Sequence, residues 1–217
     1  MNKKHCGCSV TSVNGKVYVV GGDNDDSRSL ASCEMFDPDT NEWSAIPSMK
    51  EARTCCASCV IGDKLYVIGG YGDDGCYSSV EVLDTITQEW STLPNNMTTK
   101  RYGCAAASVG NKIYVFGGRD DGAYLSSAEV YDFTTQKWTL LPPMKEKMSL
   151  FAATAVGNRI YIVGGKDGEV FDTSTNTWSS SIPHMKEKRR GCQAVTIGPN
   201  IYVMTYHHDT HNILLML

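Results

Sequence analysis

The sequence predicts an all-β fold, a β-propeller built from repeated antiparallel blades, and three observations predict it. Gly-Gly pairs recur at Gly21-Gly22, Gly69-Gly70, Gly117-Gly118 and Gly164-Gly165. A tyrosine stands three residues before the first glycine of each pair, at Tyr18, Tyr66, Tyr114 and Tyr161, and Tyr202 continues the frame with Thr205 and Tyr206 in place of the glycines. A tryptophan follows in each complete unit, at Trp43, Trp90, Trp138 and Trp178. Self-similarity at a fixed period marks one supersecondary unit stacked on copies of itself, which moves the search for function from a single catalytic motif to the loops.

Each unit reads as four strands. The first is rich in small residues, as in Tyr102-Gly103-Cys104-Ala105-Ala106-Ala107-Ser108-Val109, and suits a strand packed closely against its own copies. Residues 13–16, 61–64, 109–112 and 156–159 then place two turn formers able to take φ > 0 between apolar residues, a two-residue hairpin signal. The second strand carries the tyrosine and runs into the glycine pair, where neighbouring backbone can approach. After a polar loop, the third strand ends on Asp37, Asp84, Asp132 or Asp172. The turn that follows holds Thr40, Thr87, Thr135 or Thr175, whose small side chain is expected to bond local backbone. The fourth strand starts at the tryptophan and stops at Pro47/Met49, Pro94/Met97, Pro142-Pro143/Met144 or Pro183/Met185, since proline ends a ladder. A large aromatic on the outermost strand fits between radially repeated blades.

That order of markers resembles the kelch repeat over nearly the whole chain, and Pro142-Pro143-Met144 with basic residues after it is most similar to the kelch domains of BTB-kelch adaptor proteins. Gly21, Gly22, Gly69, Gly70, Gly117, Gly118, Gly164 and Gly165, with Trp43, Trp90, Trp138 and Trp178, are then structural. The repeats fall at approximately 5–49, 53–97, 101–144, 148–185 and a partial 189–217, within one domain spanning 1–217. The fifth keeps its first two strands, and Ile213 to Leu217 supply a third. Four complete blades plus a partial fifth make a five-bladed ring, a truncated propeller or an open arc, and the five-bladed arrangement is the favoured expectation. The fourth repeat shortens its second-to-third-strand loop to Lys166-Asp167-Gly168.

The resemblance also implies a binding face. In the kelch adaptors, the loops between second and third strands and the linkers entering each first strand line one mouth and hold peptide partners. By position this nominates Arg53, Tyr71, Tyr77, Arg101, Tyr102, Arg119, Tyr124 and Arg190 as partner-binding residues, with Arg189 beside the last. Arginine and tyrosine are enriched at interface hot spots. An arginine-rich mouth favours an extended acidic or phosphorylated peptide, because guanidinium groups bind oxyanions bidentately; the aspartates of the same loops favour a basic ligand instead. The family implies an interaction scaffold and substrate recognition for a cullin-type ubiquitin ligase. No BTB or BACK segment precedes Met1, so recruitment calls for a cullin-linked complex through another chain or further sequence. The alternative is a propeller enzyme of the copper-radical oxidase or sugar mutarotase class, but no spacing here identifies a copper set, nucleophile elbow, P-loop or dinucleotide fingerprint.

Composition narrows the rest. A net charge of −4 gives no bulk attraction to nucleic acid or anionic membrane, and no apolar run approaches the ~18 residues of a membrane span. The N-terminus lacks a signal-peptide core, which makes a cytosolic or nuclear location the default and the cytoplasm the expected one. Nine cysteines are an odd number in a chain long enough to fold without staples, so reduced thiols are expected. Cys8, Cys56, Cys104 and Cys192 share one position in the repeat, with Phe151 in the fourth unit, which points to packing more than to metal or redox chemistry. No cofactor and no metal are expected: the aspartate-rich loops lack a calcium-loop pattern, and His207, His208 and His211 fall in the degenerate repeat near a chain end.

Overall fold

The computed structural model describes residues 1, 3–26, 28–165, 168–179, 191–198, 200–205 and 212–216. Among the described residues every element is a strand. The first blade is β1 (Ser9–Val13), β2 (Lys16–Val20), β3 (Cys33–Asp37) and β4 (Glu42–Ile46), antiparallel throughout in chain order. The second is β5 (Ala57–Ile61), β6 (Lys64–Ile68), β9 (Val80–Asp84) and β10 (Glu89–Thr92); the loop between β6 and β9 folds into a hairpin of β7 (Tyr71–Gly72) and β8 (Gly75–Cys76). The third blade is β11 (Ala105–Val109), β12 (Lys112–Phe116), β13 (Ala128–Asp132) and β14 (Lys137–Leu141), and the fourth is β15 (Ala152–Val156), β16 (Arg159–Val163), β17 (Glu169–Asp172) and β18 (Thr177–Ser179). The fifth has three strands, β19 (Cys192–Ile197), β20 (Asn200–Thr205) and β21 (Asn212–Met216).

The chain is thus an all-β propeller of four complete blades and a partial fifth. The expected third strand of the fifth blade is present, paired with β20 from Thr205↔Asn212 to Ile201↔Met216. Two strand limits differ from expectation. The innermost strand of the third blade begins at Ala105, because Tyr102 forms a bridge with Arg119 of the neighbouring loop instead. The outermost strands begin one residue before each tryptophan.

The core lies between blades. One buried cluster joins Tyr18 and Val20 of the first blade to Leu65, Leu83 and Cys56 of the second; others join Tyr66 and Ile68 to Ile113 and Tyr131, Phe116 and Tyr114 to Ile160 and Phe171, and Val163 to Ile201 and Val203. Each tryptophan described in these clusters reaches back to the preceding blade: indole Nε1 of Trp90, Trp138 and Trp178 donates to the carbonyls of Pro47 (2.7 Å), Asn95 (3.0 Å) and Pro142 (2.8 Å). These side chains are half-buried, not enclosed. Among the described residues no buried cluster joins the fifth blade to the first. Met204 is 44% exposed where its counterparts Val20, Ile68, Phe116 and Val163 are 2% or less, and Val10 at the other end is 48% exposed.

Innermost strands of all five blades line an axial channel of about 420 Å³ with Ser, Ala, Thr and Cys side chains. The small residues let hydroxyls stitch strands across blades, Ser9 Oγ to Ser58 Oγ at 2.7 Å, Ser108 Oγ to the Val60 carbonyl at 2.7 Å and Thr154 Oγ1 to Thr196 Oγ1 at 2.7 Å. The third-to-fourth-strand turns are held differently from the expectation placed on the threonines. The aspartate does most of the bonding: Asp84 Oδ1 accepts the Ile86 and Thr87 amides, and Asp37, Asp132 and Asp172 repeat the arrangement. A carboxylate ending a strand takes successive amides of a tight turn more readily than a hydroxyl further on.

Candidate protein-interaction face

The loops between second and third strands meet the linkers entering the first strands at one end of the channel. Backbone bridges join them, Cys6↔Asp23 in the first blade, Thr54↔Tyr71 in the second and Tyr102↔Arg119 in the third. Thr54 and Tyr71 exchange both hydrogen bonds at 2.9 Å, and Tyr102 and Arg119 do so at 2.9 and 2.8 Å. The glycine pair permits this crossing. Gly69 has φ of +58°, and a Cβ there would lie 2.3 Å from the Arg101 carbonyl, to which the Gly70 amide donates at 2.9 Å.

A second backbone chain runs from blade to blade just before the innermost strands. Cys55 donates to the Gly7 carbonyl (2.8 Å), Gly103 to Cys55 (2.7 Å), Leu150 to Gly103 (2.8 Å) and Gly191 to Leu150 (2.8 Å). All five residues have positive φ, including the non-glycines Cys55 (52°) and Leu150 (58°). The result is a belt of amides at the channel mouth, on which the linkers hang.

Two arginines nominated for binding are instead the frame of this face. Arg53 and Arg101 are 0% exposed. Arg101 donates from Nη2 to Glu129 Oε1 at 2.6 Å and from Nη1 to the carbonyls of Gly117 (2.6 Å) and Ser127 (3.1 Å), and Glu129 accepts the amides of Thr98 (2.7 Å) and Thr99 (3.0 Å). Arg53 repeats the pattern: Nε reaches Glu81 Oε1 at 3.2 Å, Nη1 the carbonyls of Gly69 (2.7 Å) and Ser79 (3.1 Å), and Nη2 both Ser79 Oγ (2.7 Å) and the Glu51 carboxylate. Each guanidinium ties linker, glycine turn and third strand together, and its buried charge is answered by a buried carboxylate. The position varies around the array. In the first blade it is His5, whose Nδ1 donates to the Gly21 carbonyl (2.6 Å) with Nε2 facing Glu34 Oε1 at 3.4 Å. In the fourth it is Met148, and Glu169 accepts the amides of Lys145 (2.9 Å) and Glu146 (3.3 Å) without an ion pair among the described residues. Sequence reasoning overlooked these glutamates, although Glu34, Glu81, Glu129 and Glu169 recur once per unit within otherwise apolar strands.

The remaining nominated residues that the structure describes are exposed or half-buried at the surface. Tyr71 is 44% exposed and its ring meets that of Tyr102 edge-on with centroids 5.5 Å apart. Tyr124 is 40% exposed, with the Arg119 guanidinium 5.3 Å from its ring centre. Tyr77 is half-buried, stacked by Arg53 at 4.8 Å and packed over Gly72. Arg190 and Arg189, together with His207, His208 and His211, lie outside the described residues.

Around the tyrosines the charge is mostly negative. Asp73 and Asp74 are exposed at the tip of the small hairpin. Asp120 Oδ1 accepts the Gly122 and Ala123 amides, which lowers its pKa from the ordinary carboxylate value. Asp121 pairs with Lys100, whose hydrogen bond lowers its pKa, and burial with the Asp121 carboxylate pushes the Cys76 thiol up to about 12. Burial likewise pushes the Cys56, Cys59 and Cys104 thiols to about 12, 12 and 11. Burial keeps these thiols protonated at neutral pH, and the cysteines pack: the Cys56 Cβ lies 3.0 Å from the Cβ position that Gly70 lacks.

Comparison with known proteins agrees with this architecture. The KLHDC2/KLHL20/DRC7 Kelch-repeats domain family matches residues 7–205. Curated relatives include F-box/kelch-repeat proteins of Arabidopsis thaliana: one is 50% identical over 44 residues, covering 20% of this chain and 12% of the relative. A second is 41% identical over 56 residues (25% and 14%), and SKIP20 is 46% identical over 41 residues (19% and 10%). The matched stretches therefore span about an eighth of those relatives' length. Domains of this kind are generally protein–protein interaction modules and typically not enzymes. On a match covering nearly all of its blades, the chain belongs to the KLHDC2/KLHL20/DRC7 family of kelch-repeat domains.

Proposed function

We propose that this propeller binds a protein partner through the mouth formed by the second-to-third-strand loops and the linkers, and serves as the substrate-recognition part of a cullin-linked ubiquitin ligase in the cytoplasm. One observation carries the binding reading. Half-exposed tyrosines, Tyr71, Tyr102 and Tyr124, stand on a backbone pinned by the buried Arg53–Glu81 and Arg101–Glu129 pairs, so large amphipathic side chains are presented at low entropic cost. The ligase clause is supported by the F-box/kelch relatives and by the family.

Proximity labelling in cells tests both clauses. With the chain fused to a biotin ligase, Tyr71→Ala/Tyr124→Ala should remove specific neighbours that the wild type marks, whereas Ile86→Ser, at an exposed turn between third and fourth strands, should not. An unchanged set of neighbours in the double variant would refute the mouth. Absence of any cullin among wild-type neighbours would remove the ligase clause and leave the binding module standing.

A further inference from the structure

Once Arg53 and Arg101 are withdrawn into the frame, the surface that remains has a different chemistry from the one their sequence suggested. Tyr71 and Tyr102 form an edge-to-face pair. Gly103, next in the chain, is overlaid by Leu150, whose Cδ2 lies 3.2 Å from the Cβ position of that glycine. Leu150 is 46% exposed and held in the left-handed region at φ 58°. A leucine bears steric strain there that glycine avoids, and nearly half of its surface stays in solvent. Tyr71, Tyr102 and Leu150 thus make an apolar crescent over the second, third and fourth blades, beside the channel entrance.

Charge in the second- and third-blade loops beside it has one sign in excess among the described residues. Asp73, Asp74, Asp120 and Asp121 face solvent or lie half-buried there, against Lys100, already paired with Asp121, and Arg119, which stacks on Tyr124. The fixed positive charges that would have drawn an acidic ligand are neutralised inside the protein by Glu81 and Glu129. A negatively charged peptide would lose solvation against the aspartates, and the buried guanidiniums of Arg53 and Arg101 would offer it nothing in return.

We infer that the partner segment recognised at this mouth is a basic extended peptide, anchored by an apolar or aromatic side chain on the Tyr71–Tyr102–Leu150 crescent and steered by flanking lysine or arginine toward Asp73 and Asp74. This rests on the mouth being the binding face. Apolar anchoring supplies affinity, since aromatic and aliphatic anchors in the centre of an interface dominate binding; the aspartates supply orientation and discrimination between peptides.

Three pools of synthetic peptides of equal length provide the test, each with a central Tyr, Leu or Pro anchor and flanks of Lys/Arg, of Glu/phosphoserine, or of Ser/Gly. Binding to the full chain is measured by fluorescence anisotropy at low and physiological salt. The basic pool is expected to bind tightest and to weaken as salt rises. Tyr71→Ala should reduce its affinity about tenfold, the loss of one anchor. Asp73→Asn/Asp74→Asn should reduce it several-fold and flatten the salt dependence. If the acidic pool binds as well as the basic one, and Tyr71→Ala weakens both, the mouth stands and the basic-ligand inference falls. If the basic pool binds but neither Tyr71→Ala nor Leu150→Ser changes its affinity, the mouth itself is refuted. Failure of the basic pool to bind at all overturns the inference.

Discussion

The third and fourth blades use the same repeat and answer the same buried carboxylate in two ways. In the third, Arg101 neutralises Glu129 and bonds two carbonyls of the adjacent turn. In the fourth, Met148 occupies the equivalent place, 7% exposed, and among the described residues Glu169 is held by linker amides. The fourth blade keeps the buried carboxylate without the arginine and satisfies it with linker amides, although removing one partner of a buried pair is in general costly. The arginine is therefore one solution to holding a linker over a glycine turn, and its recurrence in the sequence reflects the frame, not the ligand.

The largest effect should come from breaking the pair in the third blade. Both Arg101→Ala and Arg101→Met leave Glu129 without its counter-charge, but alanine also leaves the space of the side chain empty: Arg101→Ala should cost about 3–5 kcal/mol, read as a shift of the denaturant midpoint, and Arg101→Met, which fills that space as Met148 does in the fourth blade, should cost less. Equal losses would mean that Met148 is no model for the site.

Next come the tryptophans, which contrast an internal blade with an end one. Trp138→Ala removes a half-buried indole in the cluster between second and third blades and its bond to Asn95, and about 3 kcal/mol is expected, the low end for a large aromatic. Trp43 packs on Phe36 with centroids 5.2 Å apart but belongs to no buried cluster among the described residues, so Trp43→Ala should cost less, as calorimetry of the two variants can establish. A smaller effect of opposite sign is expected at the belt. Leu150→Gly relieves a left-handed leucine and should stabilise by about 1 kcal/mol or less, the gain offset in part by the added freedom of glycine in the unfolded chain; a lower melting temperature would contradict the strain.

Acid exposes the smallest difference, at the outer turns. The bond from Lys64 and the turn amides lower the Asp84 pKa to about 2. A depressed folded-state value means that this contribution is present above the unfolded carboxylate value and is lost as pH falls through the folded one. Denaturation midpoints should therefore decline between about pH 4 and pH 2, with the decline reduced in Asp84→Asn. An identical decline in that variant would exclude Asp84 as a contributor.

Most of the blade was legible because its devices repeat: hairpin turns, glycine pairs, tryptophans and the proline and methionine that end each unit all return in frame. The site was legible in outline only. Tyr71, Tyr102 and Tyr124 stand at the surface where the tyrosine positions suggested, but Arg53 and Arg101 carry no local mark of burial, since a linker arginine next to small residues looks the same whether it points out or in. What distinguishes them is the partner, Glu81 or Glu129, about thirty residues away on an apolar strand, and a buried charge becomes readable only when its counter-charge is counted in the same frame. The turn aspartates were likewise visible, while their precedence over Thr40, Thr87, Thr135 and Thr175 as backbone acceptors depended on turn geometry.

The central claim is a division of labour, with arginines holding the mouth and tyrosines meeting the partner. It is tested most directly by measuring unfolding free energy and peptide affinity together in Arg101→Met and Tyr71→Ala. The account predicts that Arg101→Met lowers stability while folded protein keeps its affinity, and that Tyr71→Ala keeps stability while affinity falls about tenfold. Loss of affinity in a folded, undiminished Arg101→Met, with Tyr71→Ala binding as wild type, would contradict it.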